Sequence, residues 1–262
     1  MLRRYRIILF IVVLVSAALL NGCALLTSTA PPKTQEPGPS DPPKPPALSS
    51  LRGIIKLQGT EQVARPISVS VGDHKLTTTD GRFSLPELET GTYSVHVFTD
   101  HFLPHTEEIA VTSEPTALEV TLQPKYTENE LNLFARLVYA EAAGEPEIGQ
   151  IAVAASVLNR VLSPDYPNTL EGVIREVTVV NGVGYYQYSP LLDGRINEID
   201  RLDANRRQQA YADCMKVIFA ALSGQDPSRG ATGFFNPDKV AMDSWVRDQP
   251  PSVKIGNHQF FL

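Results

Sequence analysis

The sequence predicts a multi-domain α+β protein, in which a small β-sandwich precedes a mainly α-helical domain. Short apolar stretches alternate with polar residues over residues 51–124, and this period of two is the strand period. Apolar residues recur at helical spacing over residues 125–262, a region long enough to bury its own core. A proline-rich segment over residues 23–50 precedes both regions and predicts a semi-rigid tether.

The composition excludes several classes of protein. The chain of 262 residues is 42% hydrophobic, which suffices for one or two ordinary cores. Its formal net charge of −6 argues against nucleic-acid binding, which would need a basic stripe. Two cysteines can form no disulfide framework, and they lack the spacing of a structural zinc site.

Residues 1–22 have the pattern of a bacterial signal peptide. A basic start is followed by an apolar run from Ile7 to Leu20, which is too short for a comfortable transmembrane helix. Gly22 and Cys23 come next and resemble the lipobox of bacterial lipoproteins. The resemblance implies that Cys23 receives lipid and anchors an extracytoplasmic protein to a membrane. The alternative is ordinary cleavage elsewhere, with Cys23 discarded or free.

Residues 51–124 predict short strands between turn signals. The region opens with a G-x-I pattern at Gly53, continues with T-x-D-G-x-F ending at Phe83, and then reads L-x-x-G-x-Y-x-V-x-V from Leu88 to Val97. This order resembles the carboxypeptidase regulatory-like (prealbumin-like) domain. The resemblance implies a β-sandwich that serves as a spacer or binding module and carries no chemistry.

Four histidines in the β-region are candidate metal ligands: His74, His96, His101 and His105. His101 and His105 are four positions apart, a spacing that pairs ligands on a helix, but Pro104 lies between them in a strand-and-loop context. A third ligand is missing. We therefore expect exposed loop histidines, no metal and no cofactor.

The helical region begins with a capping box, Thr127-x-x-Glu130. Leu131, Phe134, Val138 and Glu141 follow on one face of the predicted first helix. Gly144 is expected to end this helix and Pro146 to open the next, with Ser163-Pro164 ending the second. A short helix is predicted near 170–176, a long one from Asp203 to about Ser223, and mixed loops over the last 35 or so residues.

Glu141 is the strongest catalytic candidate. It lies on the apolar face of its helix, and an apolar setting raises the pKa of a carboxyl because desolvation disfavours its charged form. A glutamic acid of this kind can protonate a leaving-group oxygen near neutral pH, as a glycosidase requires. On the pattern alone, a last-turn residue reaching past the apolar edge to water is the alternative.

Residues 131–161, LNLFARLVYAEAAGEPEIGQIAVAASVLNRV, resemble the catalytic domain of the cell wall hydrolases typified by the spore cortex-lytic enzymes (SleB-type). The segment from Gln187 to Ser189, Asp193-Gly194 and the C-terminal residues 230–260 match the same family's later motifs. The resemblance implies a lysozyme-like α fold and cleavage of the glycan strands of peptidoglycan, with a role in germination. It also implies that Glu141 is catalytic.

The same motifs contain further candidate site residues. Glu145 is either a second catalytic carboxylate or a residue that orients the turn before the second helix. Substrate binding is assigned to the matched positions Gln187, Tyr188, Ser189, Phe235 and Asn236. Tyr188 and Phe235 either stack against sugar rings or pack in the core. Asn159 is expected to brace the turn near Glu141, and Trp245 is expected to lie in the core. The tyrosine-rich segment 181–186 departs from the family pattern.

Rival chemistries are weaker on the sequence. Cys214 and His258 have the order found in cysteine peptidases, but Cys214 lies in the third turn of its helix, away from the N-terminus that stabilises a thiolate. A zinc amidase needs several histidine ligands, and this region has only His258. No Gly-x-Ser-x-Gly motif is present. A non-enzymatic lipoprotein that only binds the cell wall is a further alternative.

The expected reaction type is that of a lytic transglycosylase. One glutamic acid suffices if the 6-hydroxyl of N-acetylmuramic acid attacks its own anomeric carbon, and the family resemblance points the same way. A hydrolytic muramidase is the alternative and would need a second carboxylate, for which Glu145 and Asp193 are the candidates.

Overall fold

The computed structural model describes residues 47–180 and 182–262. The predicted signal peptide, Cys23 and nearly all of the predicted tether lie outside the described residues. Over the described ranges, sheets occupy the N-terminal part and the longer helices follow them, so the predicted α+β class is confirmed. No helix in these ranges is long and apolar enough to cross a membrane.

Two sheets form the N-terminal part. One has the strand order β4-β1-β7, with β1 and β7 parallel, and the other has the antiparallel order β3-β2-β5-β6. Every second residue of β1 from Ser49 to Leu57 is buried, as the predicted alternation requires. Buried residues of both sheets belong to one apolar cluster. The strands are β1 (Leu48–Leu57), β2 (Ile67–Val71), β3 (His74–Thr78), β4 (Arg82–Glu89), β5 (Gly91–Phe98), β6 (His105–Val111) and β7 (Thr116–Leu122).

The helices follow the predicted order. The capping box is formed: the Thr127 hydroxyl accepts a hydrogen bond from the Glu130 N–H at 3.3 Å, and the Glu130 carboxylate accepts one from the Thr127 N–H at 2.9 Å. Asp203 caps the last long helix as predicted. The helices are α1 (Glu128–Ala142), α2 (Glu147–Leu162), α3 (Leu170–Ile174), α4 (Ser189–Asp193) and α5 (Ala204–Leu222). The first helix ends at Ala142 with Ala143 as its C-cap, so Gly144 lies in the turn beyond it.

The sequence analysis missed five short strands in the C-terminal part. Strands β8 (Val177–Val180) and β9 (Val183–Tyr186) form an antiparallel hairpin. Strands β10 (Gly233–Phe235), β11 (Pro251–Ile255) and β12 (His258–Phe261) form a sheet of order β10-β12-β11, where only mixed loops and short elements were expected. Strands of three to five residues contain too few alternations to be recognised from the sequence pattern.

The β-part and the helical part share an interface. The Ala64 N–H donates to the Ser223 carbonyl at 2.8 Å, and the Gln225 side-chain amide donates to the Gln62 side chain at 2.6 Å. Buried residues of the two sheets and of α1, α2 and α5 form one continuous cluster. The β-part is therefore packed against the helical part, and the two share a core.

His101 lies in this interface, so the expectation that it is an exposed loop histidine is wrong. It is buried, and its Nδ1 lies 2.5 Å from the Tyr126 hydroxyl in a hydrogen bond. Burial lowers the pKa of His101 to about 3, with the positive charges of Arg65 and Lys125 acting in the same direction. Its imidazole is therefore neutral at ordinary pH. Among the described residues, no group of three or more side chains is placed to hold a metal ion.

Candidate active site

A cleft of about 870 Å³ opens in the helical part of the chain. Its walls come from the end of α1, the turn between α1 and α2, the segment between β9 and α4, strand β10 with the loop after it, and the turn between β11 and β12. The structure brings all seven predicted catalytic and substrate-binding residues to this cleft: Glu141, Glu145, Gln187, Tyr188, Ser189, Phe235 and Asn236.

Glu141 lies in the last turn of α1, where the helix passes from the core to the cleft. Phe134 and Val138, two turns and one turn earlier on the same face, are fully buried, whereas Glu141 is half-buried at the cleft wall. Burial raises the pKa of Glu141 to about 7; Asp193 adds to the rise, and Arg195 and Lys239 oppose it. Near neutral pH, a large share of the molecules therefore carry a protonated Glu141.

Arg195 is a cleft residue that the sequence analysis missed. Its guanidinium donates to the Ala140 carbonyl at 3.1 Å, to the Ser189 hydroxyl at 2.8 Å and to the Asp193 carboxylate at 2.8 Å. Hydrogen bonds from Arg195 lower the pKa of Asp193, which is not among the residues lining the cleft. Arg195 therefore fixes Ser189 beside the end of α1. The sequence offered one indication of this role, because Arg195 directly follows the matched motif Asp193-Gly194.

Glu145 is held by the turn between β11 and β12. Its carboxylate accepts one hydrogen bond from the Asn257 N–H and one from the Asn257 side chain, each at 2.9 Å. Desolvation acts to raise the pKa of Glu145, but these hydrogen bonds, aided by His258 and Lys239, outweigh it and lower the pKa. Glu145 is thus a charged brace between two turns at the cleft.

Gly256 makes this contact possible. Its φ is +58°, in the left-handed region, and a Cβ at this position would lie 1.9 Å from a carboxylate oxygen of Glu145. Only a residue without a side chain allows the carboxylate to approach the backbone so closely. The glycine in the I-G-N-H segment therefore belongs to the structural support of the cleft.

Gln187 and Tyr188 are positioned by Arg160. The Arg160 guanidinium lies 5.1 Å from the centre of the Tyr188 ring and 4.8 Å from that of Tyr166, and it donates to the Gln187 side chain at 3.4 Å. Burial raises the pKa of Tyr188 to about 12, so its hydroxyl stays protonated. This buried hydroxyl has no hydrogen-bond partner among the described residues.

Both aromatic residues of β10 are half-buried and line the cleft. Phe234 packs on His258, with ring centres 5.0 Å apart, and on Phe260 at 5.7 Å. Phe235 is half-buried at the cleft wall and packs on Phe261. The expectation that Trp245 lies in the core is wrong, because its side chain is 64% exposed and meets the Phe261 ring only edge-on.

Asn159 does not brace the turn near Glu141, which corrects the expectation from the sequence. Its side-chain amide donates to the Asp226 carboxylate and to the Ala231 carbonyl, each at 3.0 Å. Asp226 in turn accepts a hydrogen bond from the Gly230 N–H at 2.7 Å. Asn159 therefore supports the segment that leads into β10, at another wall of the cleft.

The cysteine-peptidase alternative gains no support from the geometry. Cys214 is buried on α5 and is not among the residues lining the cleft, whereas His258 does line it. Burial raises the pKa of the Cys214 thiol to about 12, which is the opposite of what a reactive thiolate requires.

Two further carboxylates line the cleft, and the sequence analysis considered neither. Glu198 follows Arg195 in the segment after α4, and Asp238 follows the F-N-P motif that contains Phe235 and Asn236. No periodic pattern marks these positions, because both lie in irregular segments whose path only the folded chain defines.

Comparison with known proteins identifies the class to which this cleft belongs. The model of the family described as Cell Wall Hydrolase matches residues 144–261, a range that begins three residues after Glu141. The chain belongs, through this region, to the cell wall hydrolase family, as the sequence resemblance predicts.

The relatives found are spore cortex-lytic enzymes. One from Halalkalibacterium halodurans is 40% identical over 135 residues, which make up 52% of this chain and 35% of that protein. One from Bacillus subtilis is 34% identical over 144 residues, or 55% of this chain and 41% of that protein. The chain thus spans less than half the length of these relatives.

A solved structure is similar to about half of the chain. It is the catalytic domain of the germination-specific lytic transglycosylase SleB from Bacillus anthracis, with 36% sequence identity and a TM-score of 0.41. The match covers 53% of this chain and 98% of that domain.

Proposed function

We propose that this protein cleaves the glycan strands of peptidoglycan between N-acetylmuramic acid and N-acetylglucosamine, as a lytic transglycosylase with Glu141 as its acid and base. The observation that carries the proposal is the position of Glu141: a half-buried carboxyl with a pKa of about 7 at the wall of a large cleft. Membership of the cell wall hydrolase family supports the same substrate class.

The reaction needs one carboxyl group that changes its protonation state. Protonated Glu141 donates its proton to the glycosidic oxygen, and the bond from that oxygen to the anomeric carbon of N-acetylmuramic acid breaks. The 6-hydroxyl of the same sugar then attacks this carbon, and the Glu141 carboxylate accepts the hydroxyl proton. The product carries a 1,6-anhydro ring, and the enzyme returns to its protonated form without consuming water.

Two candidate second carboxylates are occupied, which favours the transglycosylase over the muramidase. Glu145 accepts two hydrogen bonds from Asn257, and Asp193 is bound to Arg195. A muramidase needs a carboxylate that is free to activate water or attack the sugar. Glu198 and Asp238 also line the cleft, and they are the residues to examine first if the products are hydrolytic.

Product analysis tests the reaction type. The full chain is incubated with purified peptidoglycan, from vegetative walls and from spore cortex separately, and the soluble fragments are weighed by mass spectrometry. Anhydro-muramic ends support the proposal. Fragments heavier by one water identify a muramidase, and firm binding of peptidoglycan without any fragment identifies a wall-binding lipoprotein.

The β-part has an accessory role in this proposal. The residues that line the cleft all fall between Tyr139 and His258, so residues 51–124 contribute no side chain to it. The prealbumin-like sandwich expected from the sequence then serves to carry and stabilise the helical domain, through the interface at Ser223 and His101. Variants of exposed residues on its sheets, such as His96→Gln, should leave turnover unchanged.

Cys23 is the lipid anchor in this proposal, and residues 1–22 are the signal peptide removed before its attachment. Lipid attachment would place the enzyme outside the cytoplasm, on a membrane that faces its substrate. Cells fed a labelled fatty acid should label the wild-type protein but not Cys23→Ser. A wild-type protein that carries no label would contradict the anchor without affecting the assignment of the cleft.

A further inference from the structure

An exposed apolar hairpin stands at the rim of the cleft. Strands β8 and β9 pair only with each other in the part of the chain that the structure describes. The exposed fractions of Val179, Tyr185 and Tyr186 are 67%, 55% and 43%. A two-stranded hairpin without further packing is marginally stable in water, and clustered exposed apolar side chains commonly mark a binding surface.

The pairing register assigns these side chains to two faces. Val177 lies opposite Tyr186, and Val179 lies opposite Gly184, so Val177, Val179 and Tyr186 share one face, which we call the rim face. Tyr185 lies opposite Thr178 on the other face. A Cβ at Gly184 would lie 2.9 Å from a methyl group of Val177, so the Val177 side chain reaches over this position of the rim face.

The rim face is continuous with the cleft. Tyr186 is itself one of the residues that line the cleft, and the next two residues, Gln187 and Tyr188, line it as well. The base of the hairpin is fixed in this position because the Gln187 side chain donates to the Thr178 hydroxyl at 2.7 Å and the Gln187 N–H donates to the Glu176 carbonyl at 3.1 Å. A polymer that leaves the cleft at this edge passes directly onto the rim face.

The chemistry of the hairpin matches a sugar ring. The sequence from Val177 to Tyr186, VTVVNGVGYY, contains no acidic or basic residue. The N-acetylglucosamine ring is uncharged and presents apolar C–H faces, which pack on tyrosine and valine side chains. A site for an anionic lipid surface would instead carry lysine or arginine.

We propose that the rim face of Val177, Val179 and Tyr186 binds an N-acetylated sugar of the glycan strand outside the cleft, and so favours long strands over short ones. This inference rests on the proposed function, since it extends the substrate site of the same cleft. It assigns the tyrosine-rich segment to strand-length specificity, with the cleavage chemistry remaining at Glu141.

The test compares two tyrosines on opposite faces of one hairpin. Tyr186→Ala and the matched control Tyr185→Ala are prepared in the full chain, and thermal unfolding verifies that each is folded. The substrates are glycan strands freed of their stem peptides and separated by length. Tyr186→Ala should raise KM about five- to tenfold on long strands, with a smaller rise on the shortest cleaved oligosaccharide, because one aromatic contact is lost. Tyr185→Ala should keep the wild-type dependence on strand length.

Any of these results with the two single variants would overturn the inference: equal effects of the two substitutions, a rise in KM that does not depend on length, or a wild-type dimer that Tyr186→Ala converts to a monomer. The last result would assign the rim face to a second copy of the chain. A second experiment measures binding to insoluble peptidoglycan and compares Glu141→Gln with the double variant Glu141→Gln/Tyr186→Ala. Absence of turnover by the wild-type protein would refute the proposed reaction. Unchanged binding of the double variant would refute sugar binding at the rim face.

Discussion

Glu141→Gln is the substitution that tests the active site most directly. Glutamine is nearly isosteric with glutamic acid, so the end of α1 should keep its structure while the cleft loses its proton donor. We expect turnover to fall by about 10²–10⁴ or more, the range for a lost general acid.

Burial favours catalysis because it increases the fraction of molecules in which Glu141 is protonated near pH 7. With a pKa of about 7, roughly half of the molecules carry the proton at pH 7, whereas a carboxyl at the ordinary value of 4.5 would be protonated in only about 0.3% of them. Burial thus increases the acid form by roughly two orders of magnitude at this pH. The wild-type rate should fall about tenfold per pH unit above 7, because the acid form is lost there.

The raised pKa of Glu141 favours catalysis near pH 7, but it lowers the stability of the folded protein as the pH rises. A carboxyl whose pKa is higher in the folded protein contributes stability that is fully present below the unfolded pKa and is lost as the pH rises through the folded pKa. For Glu141 this window runs from 4.5 to about 7. Glu141→Gln should therefore match the wild type at pH 4 and unfold at a higher temperature at pH 8, because glutamine mimics the protonated acid at both.

The assay measures soluble fragments released from peptidoglycan over pH 5–9, together with thermal unfolding at pH 4 and 8. Glu147→Gln is the matched control: Glu147 is exposed in the first turn of α2 and forms an ion pair with Lys216 at 3.0 Å, away from the cleft. It should keep wild-type turnover. Retention of more than a tenth of the turnover by Glu141→Gln, or a wild-type rate that stays constant to pH 9, would refute the reasoning.

Three further predictions concern the surroundings of the site. Cys214→Ala should remain active and iodoacetamide should not inactivate the native protein, because the thiol is buried with a pKa of about 12; stoichiometric inactivation would restore the cysteine-peptidase interpretation. Gly256→Ala should destabilise the protein by about 1–2 kcal/mol in urea unfolding, because the φ of +58° is strained for alanine. It should also lower turnover, because the new Cβ would displace the Glu145 carboxylate. Unchanged unfolding would contradict this role of the glycine. His101 should cost stability as the pH falls below its ordinary pKa of 6.5, since its folded pKa is about 3; His101→Asn should reduce this pH dependence and the exposed His74→Asn should not, and equal slopes for the two variants would count against the buried histidine.

Local patterns were sufficient to predict the elements that form the frame of the site. The capping box at Thr127 and the helical spacing up to Glu141 predicted α1 and the face on which the carboxyl lies, because helix periodicity is encoded within a few turns of sequence. The alternation in residues 51–124 predicted sheets, because strand periodicity is also encoded by residues close in sequence. The matched motifs identified the family from the residues alone, and they named seven residues that line one cleft.

The contacts that complete the cleft could not be found in the same way. Asn257 binds Glu145 across 112 positions of sequence, and His101 meets Tyr126 across the junction of the two parts of the chain. Neither pair is marked by a periodic pattern in the sequence. Trp245 was expected in the core because tryptophan is usually buried for most of its surface, but in this fold it is exposed.

The sequence by itself therefore determined the family, the element types and the candidate acid Glu141. Only the tertiary structure decided that Glu145 is a brace held over Gly256, that Arg195 fixes Ser189 beside the end of α1, and that the tyrosine hairpin stands at the rim. The physical reason is the range of the interactions. Helix and strand formation depend on neighbours in the chain, whereas burial, hydrogen bonding and the pKa shift at a cleft depend on residues that only folding brings together.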